Sequence, residues 1–381
     1  MKLFNETKSK IIGLFLKENL KFTLISIFIG FLIGSITLAV AGFNPFRAYA
    51  IMFSGVFGRL NYIAWVIIRS TPLILTGLSI AFAFKTGLFN IGAEGQFIIG
   101  ALVAALAGYF IQLPAILHIP VVILLAASAA ALWGGIAGYL KAKFGVHEVI
   151  ATIMLNWIAL YLTNFVVTLE AVQRPARPVS HNIQPTASLM FFQQWKVTEE
   201  GRAWLLDNFL AREILRTPFN AGILFAVILA VVVWYILKHT TLGYELKAVG
   251  LNKHAAEYAG INVQKNIVRA MLISGALAGM AGAFHVLGNT QRVAILAAME
   301  GFGFNGIAVA LIGGSTAIGV VFSALLFGAL QYGGTKIQLA LGAPTEVINI
   351  MIGTIVFFIA IPRLIKILLA KFSKKRGEDN A

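Results

Sequence analysis

The sequence predicts an all-α polytopic membrane bundle of about ten spans, built as two inverted four-helix halves, and three features carry that expectation. Hydrophobic residues make up 59% of the 381 and charged residues only 12%. The mean hydropathy is +0.86, well beyond what a water-soluble core requires. Apolar runs of about 20 residues, long enough to cross the hydrocarbon of a bilayer, recur from one end to the other. The halves also echo each other: after an extra helix, each carries four spans and a Gly-rich break, and they enter from opposite faces. One transmembrane domain therefore covers 1–381, with an external loop about 170–218 and a cytoplasmic segment about 239–268.

The elements follow in order. A basic amino terminus (Lys2, Lys8, Lys10, Lys17, Lys21) precedes an apolar run over about 22–42. Ala39-Val40-Ala41 resembles a signal-peptidase site, but the run exceeds the ~7–15 apolar residues of a signal peptide and further spans follow, so an uncleaved first span is expected. The second span covers about 63–84, with Arg69 and Thr71-Pro72 inside it, and the third about 91–110. The fourth and fifth cover about 121–140 and 149–169. The long polar stretch 170–218 holds prolines and a short amphipathic helix near 202–215. The sixth span is 219–237. After the polar segment 239–268 come a seventh near 270–287, a break around 289–301, and runs at 302–313, 318–332 and 348–361. The tail is basic again, from Arg363 to Arg376.

Lys and Arg are retained on the cytoplasmic face. With both termini inside, nineteen of the 30 basic residues are cytoplasmic and ten external, with Arg69 in the membrane. This orientation puts the chain in the cell membrane with cytoplasmic termini. The cations flank apolar segments instead of forming a stripe interleaved with aromatics, which argues against nucleic acid despite a net charge of +15. Without cysteine there is no disulfide, thiolate metal site or cysteine nucleophile, and the six histidines show no ligand spacing. No Gly-x-x-x-x-Gly-Lys-Ser/Thr loop, Ser/His/Asp set or His-Glu-x-x-His helix is present, so no enzyme chemistry is expected.

Polar residues inside the apolar runs are the candidate site. Gly87–Gln96 carries three glycines before the third span, together with Asn90, Glu94 and Gln96. Irregular backbone at that depth persists only when buried in protein or lining a water-filled cavity. A carboxylate there costs ~2.5–3.5 kcal/mol on insertion scales, so Glu94 is paired, protonated or facing a pathway. Two readings compete: Glu94, Asn90 and Gln96 bind the solute, or Glu94 and its natural partner Arg69 form a structural tie fixing the broken helix, which is the favoured role of Arg69. Asn90 and Gln96 are assigned to the pathway. The break Glu300–Gly306 mirrors this one, with Glu300 and Asn305 as counterparts. Asn156 either lines the pathway or bonds a neighbouring helix; Trp157 either stacks on a solute or anchors at the interface. His285 and Gln291 are weaker candidates.

Thr241–Ile261 reads as two short helices. The first is closed by Gly250 in a left-handed conformation; the second is capped by Asn252 and stopped at Gly260. Neither is apolar enough to enter lipid, and the pair is a surface for another protein to grip. This run resembles the coupling segment of ABC-importer permeases in the branch handling branched-chain amino acids, ribose-like sugars and nucleosides. Ala255-Ala256-x-x-x-Gly260 matches the Glu-Ala-Ala-x-x-x-Gly pattern, although His254 stands where Glu is usual, and Leu242-Gly243-Tyr244-Glu245 also matches. The stretch from Thr71 to Gly100, including Gly87–Gln96, is similar to nucleoside-type members, and the likeness runs nearly the whole chain.

The resemblance implies a permease subunit of an ATP-driven importer working by alternating access. ATP and Mg would be bound by a separate cytoplasmic ATPase, gripping this chain through Gly243, Glu245, Gly250, Asn252, Ala255, Ala256 and Gly260; this chain would bind no cofactor. A second permease, often a different chain, and an extracytoplasmic solute receptor complete the set, with Arg174 and Arg177 of the outer loop meeting acidic receptor surfaces. Nucleosides lead as cargo, then simple sugars, then amino acids. A proton-coupled secondary transporter is the alternative, and it has no use for a coupling segment.

Overall fold

The computed structural model describes residues 25–360, and among them every regular element is helical, with only isolated bridges in the outer loop. The basic termini counted above lie outside the described residues. Seven helices are long and apolar enough to cross a membrane, or eight if a bent pair counts as one span. The chain forms two compact units, one from the described parts of Met1–Gly55 and Leu330–Ala381 and one from Val56–Ala329.

In the first unit, α1 (Ile25–Val40) and α2 (Pro45–Phe57) form the pair bent by 118°. The local sequence explains the bend. Gly42 takes the left-handed φ of +85°, the Asn44 side chain accepts from the amides of Phe46 and Arg47 at 3.0 and 3.2 Å, and Pro45 occupies the first helical position. Tyr49 of α2 donates to the Phe31 carbonyl at 2.7 Å. Gly30 and Gly34 of α1 lie against α15 (Thr345–Ala360) at Ile355 and Met351.

The second unit has a protein-wrapped core of α3 (Leu60–Phe84), α4 (Ala93–Phe110) and α12 (Val263–His285), the last continued by a π-helical turn Val286–Thr290. α5 (Ala115–Phe144), α6 (Glu148–Val167) and α9 (Gly222–His239) surround it. They expose Leu124, Leu132, Met154, Phe165, Ile228 and Val231, an apolar coat suited to lipid. Small residues set the spacing in the core: a side chain on Gly100 would lie 2.3 Å from the Gly279 carbonyl oxygen, so α4 and α12 touch backbone to backbone.

The expected runs overlap the observed helices, most ends agreeing within several residues, but the ten spans expected correspond to seven or eight helices of crossing length, and three elements depart. The stretch between the first two expected spans is itself helical, as α2. α13 (Phe302–Ile312) has eleven residues and is about 16 Å long, roughly half of a hydrocarbon core. It begins inside the unit, against α4, after non-helical backbone. α14 (Ala317–Leu341) is longer than the run that announced it.

The long polar stretch 170–218 is folded. Its expected amphipathic helix is two helices, α7 (Glu199–Asp207) and α8 (Phe209–Leu215). The Ser180, Ile183 and Leu189 amides donate to the carbonyls of Val293, Gln291 and Leu287 at 2.8 to 2.9 Å. These bonds pin the loop along the backbone that follows α12.

Candidate functional site

The Gly-rich break between α3 and α4 closes its polar side chains into a buried network. The Asn90 amide nitrogen lies 2.8 Å from Gln96 Oε1 and 2.7 Å from Ser274 Oγ, and Gln96 donates back to Asn90 Oδ1 at 3.2 Å. Ser274 donates to the Ser79 carbonyl at 2.8 Å. All four side chains are buried. Lipid offers no substitute partners, so this network laces α3, the break, α4 and α12 together. In this conformation Asn90 and Gln96 face one another and α12. Ser79 and Ser274 were not singled out from sequence; lone serines in apolar runs were the available signal.

Glu94 opens α4, and both of its carboxylate oxygens are taken by amides at the start of α13: Gly301 N–H at 2.7 Å and Gly303 N–H at 2.6 Å. A helix start leaves its first amides without helical partners and favours negative charge. Arg69 is half-buried on α3. The two breaks thus meet: the carboxylate of one caps the helix of the other. Glu300 immediately precedes the cap, 3.5 Å from His285 Nε2. Asn305 sits one turn into α13, half-buried.

Asn156 of α6 mends the backbone of the first break. Its side-chain oxygen accepts from the Gly95 amide at 2.8 Å and its nitrogen donates to the Ile91 carbonyl at 3.1 Å. Trp157, the next residue, points the other way: 47% exposed, it stacks on Tyr161 at 6.0 Å on the apolar outer face. Asn164, two turns further along α6, makes a matching pair of 2.8 Å bonds to the Leu296 backbone.

The segment after α9 forms α10 (Thr241–Leu251) and α11 (Lys253–Tyr258). Asn252 caps α11 by accepting from the Ala255 amide at 3.1 Å, and Gly260 ends it at φ +79°, both as the sequence implies. Gly250 differs: α10 runs through it to Leu251, and it is helical rather than left-handed. A close approach explains the glycine, since a side chain there would lie 2.2 Å from the Lys85 carbonyl oxygen. α10 therefore rests on the turn leading into the Gly-rich break. Burial and the neighbouring Lys247 ammonium hold Lys85 below the usual lysine range. Glu245 reaches α12, 3.0 Å from the Asn266 amide nitrogen and 3.6 Å from Arg269. Gly243 abuts the end of α9 at the Ile236 carbonyl. Ala256 is buried, while Ala255, Tyr244, Leu251 and Tyr258 present an exposed surface.

In the folded loop 170–218, Arg177 is exposed and Arg174 half-buried. Gln291, at a left-handed φ of +57°, exchanges hydrogen bonds with Gln193 at 2.7 and 2.8 Å, tying the loop to the end of α12. Beneath lies a cavity of about 360 Å³ lined by Phe97, Thr163, His285, Asn289, Arg292 and Glu300, among others.

The branched-chain amino acid transport system / permease component family model matches residues 62–360. The guanosine ABC transporter permease protein NupP of Bacillus subtilis is 42% identical over 92% of this chain and 96% of its own length. The nucleoside ABC transporter permease protein NupB of Lactococcus lactis is 36% identical over 93% and 96%. The glucose ABC transporter permease protein TsgB13 of Haloferax volcanii is 30% identical over 86% and 83%. No solved structure matches. With its apolar helices, its broken spans and its near full-length likeness to these permeases, the chain is a multi-pass membrane protein of the branched-chain amino acid transport system / permease component family.

Proposed function

We propose that this chain is one permease subunit of an ATP-driven importer of nucleosides. One observation carries the mechanism: α10 is braced at once on the turn before the Gly-rich break, through Gly250 and Lys85, and on α12, through Glu245. A push on the exposed face of α10–α11 by a cytoplasmic ATPase moves both. α12 and its π turn run 28 residues, about 42 Å, past the Asn90–Ser274 network to the outer cavity. It is a rod that links the grip to the cargo path, so closure of the ATPase tilts the core and alternates access.

ATP and Mg bind on that separate subunit. A second permease, a different chain, pairs with this one, and a solute receptor docks outside, meeting Arg174 and Arg177. Both termini are cytoplasmic. Ten crossings result if α13 and the extended backbone before it make one crossing and α15 another. The meeting of the two breaks at Glu94 supports the two inverted halves. Asn90 and Gln96 border the path and are uncovered when the core tilts.

Nucleosides are favoured because two relatives named for guanosine and nucleosides cover nearly the full length. The glucose permease relative favours sugar as the second reading. Uptake of labelled guanosine, uridine and glucose by cells with and without the gene decides between them. Gene-dependent, ATP-dependent guanosine or uridine uptake is expected; glucose uptake alone would shift the cargo to sugars.

A further inference from the structure

The outer cavity has the composition of a solute site. Its walls come from α4 (Phe97, Ile98, Ala101), α6 (Thr163), the π turn and following backbone (Asn289, Arg292) and Glu300, two residues before α13. At about 360 Å³ it lies in the range of small-molecule pockets, roughly 300–1,000 Å³.

Thr163 is the telling residue. Threonines in helices ordinarily satisfy their hydroxyl on a carbonyl of the preceding turn; Thr71 and Thr152 do so here, at 3.1 and 2.8 Å. Thr163 is fully buried, lines the cavity, and its hydroxyl has no partner. A buried hydroxyl left in that state costs about 1–3 kcal/mol, which a ligand that bonds it would recover. Around it, among the described residues, the side chains of Asn289 and Arg292 hydrogen-bond no protein group. The π turn, a distortion common at functional sites, sets Asn289 on the cavity wall. Asn164, beside Thr163, bonds the backbone of Leu296, another lining residue, at 2.8 Å, which fixes α6 to the backbone before α13.

We propose that this cavity holds the nucleoside during transit, an inference that rests on the nucleoside reading above. Thr163, Asn289 and Arg292 supply hydrogen bonds to base carbonyls and ring nitrogens. The Glu300 carboxylate accepts from the ribose diol or from base N–H groups. Phe97 and His285, with ring centroids 5.7 Å apart, form the apolar wall against which the base lies. One carboxylate and one guanidinium on the same cavity wall suit a neutral solute better than a phosphorylated one.

The chain contains no cysteine, so Asn289→Cys and Arg292→Cys, both at half-buried positions of the cavity wall and made singly, each carry the one thiol in this subunit. Ala171→Cys, exposed in the outer loop, controls for shielding by the docked receptor. Membranes holding the complete transporter and its receptor are treated with a small methanethiosulfonate reagent, with and without guanosine, in complexes that retain the ATPase. At ten times the half-saturating guanosine concentration, labelling at both cavity positions is expected to slow about tenfold, by simple occupancy, with Ala171→Cys unaffected. If one cavity variant fails to assemble, the other carries the test. Equal labelling with and without guanosine, or equal slowing at all three positions, overturns the assignment. Wild-type uptake, measured in parallel, separates the two failures: no nucleoside import sinks the function, whereas import without protection sinks only the cavity.

Discussion

The Glu94 carboxylate accepts the backbone amide of Gly303 at 2.6 Å, across 209 residues of chain. The bond joins the start of α4 to the start of α13, so one acidic side chain stabilises two broken helices. It also explains how a carboxylate survives at this depth: both oxygens are bonded to a helix start, where positive partial charge collects.

Glu94→Gln keeps the shape but turns one acceptor oxygen into a donor facing an amide. The loss of one charge-assisted bond, with an amide left unpaired, is expected to cost about 1–3 kcal/mol. The assembled transporter in detergent should melt several degrees lower, and Glu94→Ala lower still. A melting temperature equal to that of the wild type for both would remove the cap from the account.

Asn156 and Trp157 are adjacent yet should behave oppositely. Asn156→Leu strands the Gly95 amide and the Ile91 carbonyl, at about 1–3 kcal/mol each, and should lower both stability and uptake. Trp157→Leu trades one exposed apolar group for another and should leave the ratio of guanosine to uridine uptake unchanged. A changed ratio in Trp157→Leu would put the indole on the cargo path.

Gly250→Val places carbon where the Lys85 carbonyl oxygen already lies, 2.2 Å away. α10 must lift from the turn, and ATP-dependent uptake should fall at least about tenfold, a loss of roughly 1.4 kcal/mol of coupling at the transition state. Receptor binding to the outer face should persist, measured by co-purification. Normal uptake by Gly250→Val would show that force does not pass through this contact.

Much of the helical architecture is legible in the sequence. Apolar run length announced the helices because lipid forces every backbone amide to be satisfied within its own segment. Asn252 and Gly260 announced the limits of α11, since capping is local chemistry within four residues. α2 escaped notice because its signals, Asn44 and Pro45, start a helix without saying how long it runs. Local chemistry alone predicts a left-handed turn at Gly250, whereas the requirement for glycine comes from Lys85, far along the chain.

The sequence by itself determined that this chain is a membrane helical bundle with two Gly-rich breaks and a pair of short polar helices after α9. Only the tertiary structure decided that Glu94 bonds the α13 start, that Asn156 mends the first break and Trp157 faces outward, and that Thr163 opens on a cavity. Helix periodicity and capping depend on residues within a turn or two, which a sequence displays directly. The partner of a buried polar group is set by packing between segments up to 209 residues apart, and the order of residues along the chain does not encode that distance in any local pattern.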